Sequence, residues 1–68
     1  MKMISYNPLW KTLIDRKMTK SALRDAAQLS KATITRMGKD EPVGLEIVLR
    51  IAQALDCPIY DIVEIVEE

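Results

Sequence analysis

The chain has 68 residues, 49% of them apolar, with one cysteine and no histidine. Its formal net charge of zero hides a division. Residues 1–39 hold nine Lys/Arg and two Asp/Glu (net +7), while residues 40–68 hold one Arg and eight Asp/Glu (net −7). This composition excludes a disordered chain, an intramolecular disulfide, a zinc site of ordinary ligands and a histidine-activated nucleophile, so no metal, no cofactor and no catalytic residue is expected.

The length allows a single domain, residues 1–68, with a small core. No apolar run approaches the roughly 18 residues of a membrane span. Only two apolar residues separate Met1-Lys2 from Ser5, so no signal peptide is expected either, and the chain is placed in the cytoplasm.

Met3-Ile4-Ser5-Tyr6 opens the chain without helical spacing. Asn7-Pro8 then reads as a helix start, Asn as the cap and Pro at the first helical position. Leu9, Trp10, Leu13 and Ile14 form one apolar stripe, predicting a helix over about 8–17. Thr19 caps a second helix whose buried face is Ala22, Leu23, Ala26 and Ala27. Gln28-Leu29 is a tight turn.

Ser30 caps a third helix, with Ile34 and Met37 facing inward, and Gly38 is expected to supply the left-handed residue that ends it. After a loop over 39–43, residues 44–55 form the longest helix. Leu45, Val48, Leu49, Ala52 and Leu55 lie on one of its faces, which Ile47 and Ile51 widen. A short fifth helix is predicted from near Pro58, next to Cys57, which reads as a small buried hydrophobe. The last segment, residues 62–67, is rich in β-branched residues, as is 3–6. The two are read as a candidate two-stranded ribbon, formed within one chain or between two.

Two capped helices around a tight turn, inside the basic half, have the layout of a helix-turn-helix. The 3.6-residue period places Lys31, Ala32, Thr35 and Arg36 opposite Ile34 and Met37. These are base-contacting candidates. Arg36 can grip a guanine edge with two hydrogen bonds, Lys31 with less geometric definition, and Ala32 or the Thr35 methyl can meet a thymine methyl. Thr19, Lys20, Ser30, Thr33 and Lys39 are phosphate-contacting candidates, the first amides of both helices being suited to phosphate oxygens. Lys11, Lys17 and Arg24 are read as solvated or as diffuse steering charge.

The run Met18-Thr19 … Leu23 … Ala27-Gln28-Leu29-Ser30-Lys31-Ala32-Thr33-Ile34 … Met37-Gly38-Lys39 resembles the phage-repressor-like (Cro/XRE-type) helix-turn-helix family. Leu45 … Leu49-Arg50-Ile51-Ala52-Gln53-Ala54-Leu55-Asp56 is similar to that family's fourth helix. The resemblance covers about Leu9 to Val63. It implies an all-α, five-helix lambda-repressor-like bundle that binds double-stranded operator DNA as a homodimer and regulates transcription, most simply as a repressor on a palindrome. Two positions depart from the family pattern: Gln28 stands where many members have glycine, and Arg24 where many have alanine. The competing reading is a protein-interaction module or an antitoxin-like partner-binding protein, using the acidic, β-branched end. No small-molecule effector and no membrane partner is indicated.

Overall fold

A computed structural model describes all residues, 1–68. The order is β1 (Lys2–Ser5), α1 (Asn7–Asp15), α2 (Lys20–Ala27), α3 (Lys31–Gly38), α4 (Leu45–Leu55), a single 3-10 turn (Ile59–Asp61) and β2 (Glu64–Glu67). The architecture is therefore four helices, not five. The segment after Pro58 makes one 3-10 turn and stops, because Ile62 swings fully into the core and the chain must then extend.

The two ends pair within one chain. β1 and β2 run antiparallel with Lys2 opposite Glu67, Met3 opposite Val66, Ile4 opposite Ile65 and Ser5 opposite Glu64. A two-stranded ribbon is marginal by itself. Here Ile4 and Val63 pack on the helical core and hold it.

The core is one cluster built from every helix: Leu9 and Leu13 of α1, Leu23 and Ala27 of α2, Met37 of α3, and Val48, Ile51 and Leu55 of α4. Tyr6, Leu29 and Ile62 close it from the connecting segments. Fully burying a side chain such as Leu23 or Met37 contributes about 1.5–3 kcal/mol. The alternation of these residues with polar ones is the reason the segments coil as amphipathic helices.

All four helices end in the same way. Lys17, Gln28, Asp40 and Asp56 take φ of 50–57°. The amide after each returns to a carbonyl five residues back: Met18 to Leu13, Leu29 to Arg24, Glu41 to Arg36 and Cys57 to Ala52. These are Schellman closures with no glycine at the left-handed position. Gly38 does not supply the left-handed residue; it is the last helical residue of α3, and Asp40 makes the turn two residues later.

Other expectations are corrected as well. α1 starts at Asn7, capped from Tyr6, and the Ser5 hydroxyl, not the Asn7 side chain, accepts the first amide at 3.2 Å. It ends at Asp15, where the Arg16 guanidinium leaves to donate to the Leu55 carbonyl at the end of α4. Ile14, Leu45 and Leu49 are 74%, 80% and 55% exposed, and Ala22 and Ala26 are exposed too. Each apolar stripe is wider than the strip its neighbours cover.

Candidate nucleic-acid interface

The helix pair is set by local chemistry. Thr19 is extended (φ −88°, ψ 165°), and its hydroxyl accepts the Ala22 amide at 3.0 Å. Ser30 repeats the arrangement (φ −78°, ψ 157°), accepting the Thr33 amide at 3.1 Å and lying 2.9 Å from the Thr33 hydroxyl. Each cap contributes about 1 kcal/mol. The capping hydroxyls satisfy the third amide of each helix, so by position the Lys20, Ser21, Lys31 and Ala32 amides have no intrahelical partner. Gln28 (φ 56°, ψ 49°) turns the chain between α2 and α3, and Leu29 then anchors it in the core.

Met37 is fully buried and Ile34 half-buried, so they orient α3. With about 100° of rotation per residue, Ala32 and Thr35 lie at the middle of the opposite, exposed face. Lys31 and Arg36 flank them, one on each side. The four base-contacting candidates thus share one exposed surface. The Thr35 hydroxyl donates to the Lys31 carbonyl at 3.0 Å, which commits its proton to the helix and leaves the methyl and oxygen lone pairs outward.

The two flanks differ. On the Arg36 side is the α3–α4 loop. The guanidinium Nη2 donates to the Pro42 carbonyl at 3.4 Å, and Nε stands 3.9 Å from the Glu41 carboxylate. That loop is tied to the first strand, since the buried Tyr6 donates its hydroxyl to the Glu41 carbonyl at 2.8 Å and its amide to Asp40 Oδ1 at 3.2 Å. Burial pushes the Tyr6 phenol above its ordinary pKa. The Asp40 carboxylate adds to the rise, and a backbone hydrogen bond and Arg36 oppose it.

On the Lys31 side, α2 and α3 enclose a groove of about 190 Å³ lined by Lys20, Ser21, Arg24, Lys31, Ile34 and Thr35. The phosphate-contacting candidates are spread around these features. Lys20 lies at the groove, its ammonium 4.5 Å from the centroid of Trp10. Thr19 and Ser30 sit at the helix starts with their hydroxyls in use as caps, and the Thr33 side chain is half-buried against Ser30. Lys39 is exposed at the far end of α3, about 12 Å along the axis from Lys31.

Sequence reasoning missed two neighbours of this surface. Arg24, which the sequence alone reads as solvated or as diffuse steering charge, lines the groove; its i, i+4 spacing from Lys20 is the signal that puts both on one face of α2. Glu41 had no signal, because only the folded loop brings it to Arg36. Elsewhere, Cys57 is half-buried and burial pushes its thiol upward, against the opposing pull of Arg16, so it is a poor nucleophile. No group of acidic, Cys or His side chains is arranged to hold a metal ion, and no helix is long and apolar enough to cross a membrane.

The sequence matches the Cro/C1-type HTH DNA-binding domain over residues 8–68. The fold is similar to a crystal structure of the transcriptional regulator VanUg (form II), with a TM-score of 0.94 and 46% sequence identity, across 98% of this chain and 89% of that one. No curated protein matches the sequence.

Proposed function

The chain belongs to the Cro/C1-type helix-turn-helix DNA-binding family, and from that premise we propose that it is a sequence-specific transcriptional regulator whose helix α3 reads the major groove. The observation that carries this reading is the exposed face of α3. Ala32 and Thr35 form a small, flat centre, and Lys31 and Arg36 stand at its edges. Such a surface admits close approach to base edges and supplies cations for guanine. The basic half of the chain surrounds it, which favours attraction to the phosphate backbone.

We infer a repressor that occludes a promoter as a homodimer on a palindromic operator, with half-sites roughly 34–36 Å apart. A dimer is supported by Leu45 and Leu49, one turn apart on α4 and exposed. The Glu46–Arg50 ion pair on the same helix, at 3.0 Å, leaves them as the unpartnered part of that surface. Thr19, Lys20, Ser30, Thr33 and Lys39 position the protein on phosphates, and the free amides at the starts of α2 and α3 assist. The likeness to a transcriptional regulator across nearly the whole chain supports the role in transcription regulation.

Selection of bound sequences from a random duplex pool tests the reading. A palindromic consensus is expected. Recovery of no preferred sequence, or failure to bind duplex DNA even at low salt, would leave the interaction-module reading in its place.

A further inference from the structure

We propose that Arg24 is a DNA-backbone contact, and that with Lys20 and Lys31 it forms a seat for one phosphate in the groove between α2 and α3. The inference rests on the reading of α3 as the DNA-facing helix and adds a residue from α2 to the site.

Lys20 and Arg24 are four residues apart, so they share one face of α2. Lys31 and Thr35 face them from α3, and Ile34 completes the groove. Three basic side chains therefore line about 190 Å³ of open space with no carboxylate among them, Lys20 by its stem while its ammonium rests over Trp10 within reach of the groove. The one acid near Arg24 is Asp25, 3.8 Å from Nε and 79% exposed, a single loose contact that leaves the terminal guanidinium nitrogens free. Apart from that contact the basic side chains face one another without a counter-charge in the groove, and an anion there removes their repulsion.

The guanidinium fork matches two phosphate oxygens at once, Lys31 adds a point charge, and the Ser21 hydroxyl adds a donor. Arg24 is 36% exposed, so its stem is partly held in place before DNA arrives. It lines the groove with Lys31 and Thr35, at the edge of the reading face. The groove shares Lys31 and Thr35 with the reading face, so one docking pose serves both.

The test is a binding titration of a short mixed-sequence DNA duplex across a series of NaCl concentrations. It uses the wild type, Arg24→Gln and Arg24→Lys, each checked for its fold by circular dichroism. Arg24→Gln is expected to weaken binding roughly three- to ten-fold and to lower the slope of log affinity against log salt by about 0.9, the value of one phosphate contact. Arg24→Lys, which keeps the charge but loses the fork, is expected to keep the slope and weaken binding less. It carries the test through its affinity and slope if the Gln variant does not fold.

An unchanged slope and affinity in Arg24→Gln would overturn the proposal while leaving wild-type binding intact. A loss confined to one selected sequence, with the slope unchanged, would make Arg24 a base reader and overturn the phosphate seat. Absence of binding by the wild type itself would instead overturn the DNA reading beneath it.

Discussion

The Lys20 ammonium lies 4.5 Å from the centroid of the Trp10 ring. This pair joins α1 to the groove wall of α2, and Trp10 is the only tryptophan in the chain. An exposed cation–π contact is worth about 0.5–1 kcal/mol, small enough for a phosphate to draw the ammonium away. Titration with duplex DNA is therefore expected to change Trp10 emission, and Lys20→Gln is expected to remove most of that change. Unaltered emission in the wild type at saturating DNA would show that Lys20 stays on Trp10 and takes no part in binding.

Glu41 holds the Arg36 guanidinium at 3.9 Å with both side chains largely exposed, so the pair adds under about 1 kcal/mol to stability. DNA must draw Arg36 from this carboxylate and also accept a negative charge near its phosphates. Glu41→Gln is expected to leave the unfolding free energy nearly unchanged and to tighten DNA binding roughly two- to five-fold at low salt, the gain fading as salt rises. Equal affinity of variant and wild type at low salt would show that the contact does not restrain Arg36.

These cases also show what the sequence could and could not carry. Thr19 and Ser30 were legible as caps because a cap is a local matter of one hydroxyl and an amide three residues on. The face of α3 was legible because 100° per residue decides it. By contrast, Ile14, Leu45 and Leu49 sit in apolar stripes that continue past the edge of the core, and only tertiary packing decides where burial ends. Gly38 was misread because the preference for glycine after a helix competes with a two-residue extension that ends at Asp40. Spacing from Lys20 put Arg24 on the same face of α2, but that this face meets α3, and that Glu41 meets Arg36, lay between elements, where spacing along one segment says nothing of the neighbour's distance.

Gln28 holds the left-handed turn between α2 and α3 without being glycine, at φ 56°. That conformation costs an ordinary L residue about 1–2 kcal/mol, partly offset by the chain entropy a glycine would add. Gln28→Gly is expected to stabilise the fold by about 0.5–1 kcal/mol, raising Tm by several degrees in a domain of this size. Gln28→Val is expected to destabilise it. A lower Tm for the glycine variant would mean that the Gln28 side chain stabilises the turn by more than its strain.

Tyr6 links the first strand to the α3–α4 loop through its hydroxyl and its amide. Tyr6→Phe is expected to cost about 0.5–1.5 kcal/mol at neutral pH. Burial raises the native phenol above the ordinary 10.0, so the unfolded chain loses this proton first. The stability tied to it is fully present below pH 10 and is lost as pH rises through the native value. Denaturant unfolding at neutral and alkaline pH should therefore show the gap between wild type and Tyr6→Phe narrowing in alkali. A constant gap would contradict a buried, proton-holding Tyr6.

The central claim is that α3 reads base sequence, and the direct measurement is a ratio of dissociation constants at one fixed salt concentration. A duplex selected from a random pool is compared with its scrambled form, for wild type and for Arg36→Ala. The wild type is expected to prefer the selected duplex by on the order of 10³-fold or more. Arg36→Ala is expected to lose about 1–3 kcal/mol of that preference, concentrated at one base position. A wild-type ratio near one, or a ratio that Arg36→Ala leaves unchanged, would contradict the assignment of α3 as the reading helix.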